Sequence, residues 1–163
     1  MKIIENALNK EVQEKLKDFI FTKFPLYYLE NVTFEHTKKY APGFGHVFIK
    51  DDVVVSEQAN LLNLFKDVIK GNVKRCRLFL QLPLNQKLIP KIDPLHIDDP
   101  APHQVYIYYV VDSDGDTVIY KNKKEWKRVT PKQGTILTFD GSLWHTAEQP
   151  TKGTRCIINF NVT

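Results

Sequence analysis

The strongest constraint on the fold lies in the second half of the chain. From Arg75 onward, short runs rich in β-branched and aromatic residues follow one another, with turn residues between them and no helical period. Residues 77–83 (RLFLQLP) and 104–111 (QVYIYYVV) read as strands. A DSDGD turn at 112–116 leads to a returning strand at 117–121, so these two runs are expected to form a hairpin. Further strands follow at 135–139 and 154–162, separated by Pro131, Gly134 and Asp140-Gly141. Short strands at this spacing predict a mostly β domain with flanking helices (α+β), built as an antiparallel double-sheet jelly roll or barrel.

The first third has a different pattern. Val12, Leu16, Phe19 and Ile20 form a one-sided helical stripe, ended by Phe24-Pro25. A second helix is expected to open at Ser56 as N-cap. Leu61, Leu62, Leu64, Phe65, Val68 and Ile69 would face inward, and Gly71 would stop it. Residues 32–50 read as an aromatic loop punctuated by Gly43 and Gly45, and residues 40–52 as the best candidate for a lid. The two helices would pack on one outer face of the β core.

At 163 residues and 19.0 kDa, the chain is expected to be a single domain, 1–163. Residues 1–74 would give helical support and substrate-side loops, and residues 75–163 the catalytic strands. The 42% hydrophobic content suffices for a core without disulfides. The net charge of +4 is too small to argue for nucleic acid by itself and suits an anionic ligand. Lys121, Lys123, Lys124, Lys127 and Arg128 read as a solvated hairpin. Cys76 and Cys156 read as reduced thiols. The polar N-terminus carries no secretion signal and no apolar run is long enough to span a membrane, so a cytoplasmic protein is expected.

Three features carry chemistry. In His96-Ile97-Asp98, an extended backbone would place imidazole and carboxylate on one side. His145 follows Asp98 by 47 residues, after a strand, a tight turn and Trp144. Two histidines and one carboxylate on one face of an octahedron suit non-haem Fe(II); zinc could use the same ligands with a water. Arg155 comes ten residues after His145, in TRCIINFNV. Alternation places Arg155, Ile157, Asn159 and Asn161 on one face, and a buried arginine there needs an anion such as a ligand carboxylate. Gln81 and Arg77, on the strand before the metal residues, are further pocket candidates. His103 reads as a loop histidine, and His36 and His46 as lying outside the barrel strands. No nucleophile motif or phosphate loop is visible.

HisXAsp, a distal His and a following Arg on short strands resemble the Fe(II)- and 2-oxoglutarate-dependent dioxygenases. The segments IYYVVDSDGDTVIY and VTPKQGTILTFDGSLWHTAEQPTKGTRCIINFNV resemble the prolyl-hydroxylase-like branch, and FPLYYLE and GFGHVF its phage-encoded and bacterial members. The resemblance implies a double-stranded β-helix with His96, Asp98 and His145 as iron ligands. Arg155 would hold the far carboxylate of 2-oxoglutarate, assisted by Tyr109 and Asn159. Tyr106 and Tyr108 are less favoured for that role. It implies Fe(II), 2-oxoglutarate and O₂ as requirements, with ascorbate a candidate reductant, and hydroxylation of a C–H bond with release of succinate and CO₂. A peptide or protein residue such as proline is the favoured substrate. A small metabolite or a nucleic-acid base on the same site stays open, as Trp126 and Trp144 could stack on a base. Two other classes stay open: a non-catalytic cupin-like jelly roll, and a zinc hydrolase with Glu148 as base.

Overall fold

The computed structural model describes residues 1–32, 42–84 and 91–163. In chain order the elements are β1 (Lys2–Ile4), α1 (Lys10–Thr22), β2 (Tyr27–Leu29), β3 (Gly43–Lys50), β4 (Val53–Val54), a 3-10 helix (Glu57–Phe65) and β5 (Val73–Gln81). There follow β6 (Gln104–Tyr109), β7 (Thr117–Lys121), β8 (Lys124–Val129), β9 (Ile136–Asp140), β10 (His145–Ala147) and β11 (Arg155–Val162). Eight strands make one antiparallel sheet in the order β1-β9-β6-β11-β5-β3-β2, with β4 on β3; β10-β7-β8 make a second. The molecule is mostly β, as expected of a jelly roll, with the helical elements packed against the larger sheet.

Period-2 alternation builds two cores on opposite faces of that sheet. On β11, Cys156, Ile158, Phe160 and Val162 join Cys76, Leu78 and Leu80 of β5, Phe65, and Leu16 and Ile20 of α1. Val105, Ile107, Tyr109, Leu137, Phe139 and Ile157 point the other way, toward Ile119 and Val129 of the second sheet. Every residue of β11 is therefore buried, which a strand at the centre of a covered sheet requires. Tyr108 belongs to the helix-side core, with Tyr106 packed against it, while Tyr109 faces the space between the sheets.

The expected α1 forms, with Asn9 capping the N–H of Val12 at 2.9 Å. Other local expectations are corrected. The second helix opens at Ser56 as expected but is 3-10, and within it only Phe65 is buried, while Leu64 is exposed. Its three-residue turn cannot gather the apolar run on one face. Residues 43–50 are a strand, not a loop or a lid. Gly43 and Gly45 are there because a Cβ would lie 2.7 Å from the Leu80 carbonyl oxygen and 2.6 Å from Leu29 Cδ1. Residues 40 and 41 of the proposed lid, and His36, lie outside the described residues.

The hairpin expected between β6 and β7 is absent. β6 pairs with β9 and β11, and β7 with β8 and β10, so the DSDGD turn carries the chain from one sheet to the other. The hairpin is instead β7-β8, turning on Asn122 and Lys123 at positive φ, with the expected solvated lysine cluster along it. Both cysteines are free and buried. Among the described residues, no helix is long and apolar enough to cross a membrane.

Candidate metal centre and polar pocket

Between the two sheets lies a pocket whose polar walls come from alternating residues of β5 and β11. Arg77, Phe79 and Gln81 face Asn159, Ile157 and Arg155 across the antiparallel register. Its other wall is His96, Asp98, His145 and Thr117. The apolar middle is Phe79, Ile107 and Ile157.

His96 and His145 are brought together by backbone pairing. The His96 N–H donates to the His145 carbonyl at 3.0 Å, and the return bond is 2.8 Å. Their rings then sit 4.5 Å apart. Each ring's Nδ1 meets a backbone carbonyl, Pro94 at 2.9 Å and Leu143 at 3.1 Å. A carbonyl only accepts, so Nδ1 carries the proton and Nε2 keeps its lone pair. His96 Nε2 lies 4.0 Å from Asp98 Oδ1, and His145 Nε2 lies 3.8 Å from Oδ2. One ligand atom from each of the three lies within 4.8 Å of the others, a group that could hold a metal ion. Burial, and then the neighbouring ring of His145, lowers His96 to about 4. Burial lowers His145 as well. Both rings are therefore neutral at pH 7, as metal ligation requires. Burial opposes ionisation of Asp98, but His145, once it protonates in acid, and Arg77 outweigh it and hold the carboxyl well below the usual range.

Asp98 is also oriented on every side. Oδ2 accepts from Asn159 Nδ2 at 3.0 Å and from Asn161 Nδ2 at 2.9 Å. Oδ1 lies 3.3 Å from both Arg75 and Arg77. Arg75 also donates to the Asp98 carbonyl at 2.6 Å and to Asn161 Oδ1 at 2.8 Å. Neutral imidazoles with locked tautomers and a buried, ionised, braced carboxylate are the donor set expected of a non-haem iron site. Asn159, the residue expected to touch a co-substrate, lines the pocket and donates to Asp98, while its Oδ1 is buried and unpartnered.

At the far end Arg155 is 3% exposed. It donates from Nε to the Gly115 carbonyl at 2.9 Å, from Nη1 to Gln81 Oε1 at 3.2 Å, and from Nη2 to Thr117 Oγ1 at 2.9 Å. All three partners are neutral. A carboxylate, Asp93, sits behind Gln81, which donates to it at 2.8 Å, and Gln149 donates at 2.6 Å. Burial raises Asp93 and lowers Arg155. Tyr109 does not line the pocket: its hydroxyl donates to Thr117 at 2.9 Å, so it bears on Arg155 through that threonine.

Sequence reasoning missed Asp93, Thr117, Arg75 and Asn161's contact with Asp98. Asn161 and Arg75 share the alternating faces of Asn159 and Arg77, a signal that was available. Asp93 and Thr117 reach the site from an irregular segment and from the other sheet, which no local pattern reveals. His103 lies in the loop before β6, as expected. His46 is corrected: it stands in β3, with Nδ1 on the Pro25 carbonyl at 2.8 Å and Nε2 on Ser56 Oγ at 2.7 Å. Glu148 is held by Arg128 at 2.7 Å and does not line the pocket, which removes the general base considered for zinc hydrolysis.

No protein-family model and no curated protein matches the chain. Solved structures do. A 2OG-Fe(II) oxygenase family oxidoreductase from Burkholderia pseudomallei is similar at TM-score 0.72 and 12% identity, over 98% of this chain and 83% of that one. A Trichoplax adhaerens prolyl hydroxylase, in complex with a hypoxia inducible factor peptide, is similar at 0.66 and 15%, over 99% and 82%. A Pseudomonas putida prolyl-4-hydroxylase is similar at 0.65 and 13%, over 99% and 92%. The chain thus has the fold of the 2OG-Fe(II) oxygenases.

Proposed function

We propose that the protein is an Fe(II)- and 2-oxoglutarate-dependent dioxygenase that hydroxylates a C–H bond, with a peptidyl residue such as proline as substrate. The carrying observation is that the His96-Asp98-His145 group and buried Arg155 open on one pocket, separated by an apolar stretch. That arrangement suits a short diacid reaching from a metal to a guanidinium. The peptide reading is supported by the fold shared with a prolyl hydroxylase bound to its peptide. The whole chain, 1–163, acts in this reading as one unit, because β2, β3 and β4 join the same sheet as β5.

His96, Asp98 and His145 would hold Fe(II), which with 2-oxoglutarate and O₂ supplies the oxidising chemistry and the loss of CO₂. The Pro94 and Leu143 carbonyls fix the two imidazoles with Nε2 available. Asn159 and Asn161 set the plane of the Asp98 carboxylate. Arg155 would take the far carboxylate of 2-oxoglutarate, its planar fork positioned by Gly115, Gln81 and Thr117. Phe79, Ile107 and Ile157 keep water from the middle of the pocket.

The test is succinate release from 2-oxoglutarate by the purified protein, with and without Fe(II). Iron-dependent release, lost in Asp98→Ala, is expected. Equal release in that variant would refute the assignment.

A further inference from the structure

Arg77 is the pocket cation with the most hydrogen-bonding capacity left unfilled by the described residues. Arg155 uses all three nitrogens, and Arg75 is committed to Asn161 and the Asp98 carbonyl. Arg77 makes one hydrogen bond among the described residues, Nη2 to Asp98 Oδ1 at a long 3.3 Å, and its guanidinium lies 4.9 Å over the Phe79 ring. A guanidinium has five N–H donors, so most of this one has no acceptor among those residues. It lines the pocket and its side chain is 24% exposed, so it is not sealed in the core.

Asp98 cannot be its dedicated counter-charge. Both its oxygens are already shared, with Asn159 and Asn161 on Oδ2 and Arg75 on Oδ1. Metal ligation draws on the same carboxylate. An arginine that lines a site, lies over an aromatic ring and shares its nearest carboxylate with three other residues is arranged to meet a further anion that arrives from outside. The position also separates it from Arg155: across the β5-β11 register Arg77 faces Asn159, while Arg155 faces Gln81, four residues away and about 13 Å along the strand.

We propose that Arg77 is a carboxylate receptor for the substrate, so that the peptide taken is acidic beside the residue to be hydroxylated. This rests on the dioxygenase reading above and narrows its substrate class. The chain's net charge of +4 favours the encounter.

The test uses protein loaded with Mn(II) and 2-oxoglutarate, which does not turn over, and two fluorescein-labelled peptides with Glu-Pro-Glu and Gln-Pro-Gln cores. Anisotropy reads peptide binding, and calorimetry on the same sample reads metal and 2-oxoglutarate binding. The acidic peptide should bind at least about tenfold tighter than its amide twin, the weight of one charge-assisted hydrogen bond. With both proteins saturated in Mn(II) and 2-oxoglutarate, Arg77→Gln should erase that preference, and Arg77→Lys should keep part of it. Equal binding of the two peptides, binding of neither, or a preference that survives Arg77→Gln would overturn the proposal. So would a loss of 2-oxoglutarate affinity in Arg77→Gln matching that in Arg155→Gln, which would make Arg77 a co-substrate residue. Failure of Mn(II) and 2-oxoglutarate to bind the wild type would instead overturn the dioxygenase reading itself.

Discussion

Asp98 illustrates how much of a site lies around its reactive residues. Two asparagines and two arginines surround one carboxylate, and their combined effect is to fix its plane and keep it ionised although buried. Replacing Asn159 or Asn161 with Ala should weaken divalent-metal affinity about tenfold without unfolding the protein, because such supports typically contribute that much. Calorimetric Mn(II) titration checks it, and unchanged affinity in both variants would mean the amides only fill space. At the other end, Thr117 accepts from both Arg155 and Tyr109. Thr117→Val should reduce 2-oxoglutarate affinity by less than Arg155→Gln but by more than Tyr109→Phe, which loses only the outer bond. Equal affinities across the three variants would contradict that relay.

At the scale of elements, His46 and Ser56 join β3 to the 3-10 helix. Ser56 Oγ accepts from the Gln58 N–H at 2.9 Å while it meets the His46 ring. Ser56→Ala should cost about 1 kcal/mol in denaturant unfolding, as the loss of an N-cap does. Burial lowers His46 from its usual 6.5, so the unfolded chain takes up that proton first. The stability from neutral His46 is then complete above pH 6.5 and is lost as pH falls below it. Thermal melts should fall more steeply between pH 7 and 5 in wild type than in His46→Gln; parallel curves would refute this. Gly134 sits at φ +78 against Gln13 of α1, and a Cβ there would collide with that side chain. Gly134→Ala should therefore destabilise by about 2 kcal/mol. What was legible at this scale followed from periodicity. The α1 stripe and the two faces of β11 could be read because one repeat governed each. The partners of β6 and β7 could not, because a turn sequence bends the chain without saying which sheet receives it. The 3-10 helix and β3 were misread because a leucine-rich run and paired glycines look the same in several backbones.

Across the whole molecule, one central sheet separates a helix-side apolar core from an inter-sheet space where polar groups gather. The candidate site was legible as a set of residue types, His96, Asp98, His145 and Arg155, spread over sixty positions of sequence. Their meeting depends on the fold, through the His96–His145 backbone pair and the β5-β11 register. The central claim is that these two ends serve one metal and one diacid. Its most direct test is an anaerobic titration of the protein with Fe(II) and then 2-oxoglutarate, followed by visible absorption. A weak charge-transfer band should appear only when both are present, vanish in His96→Ala, and need far more 2-oxoglutarate in Arg155→Gln. Iron that fails to bind, or a band indifferent to Arg155, would contradict the account.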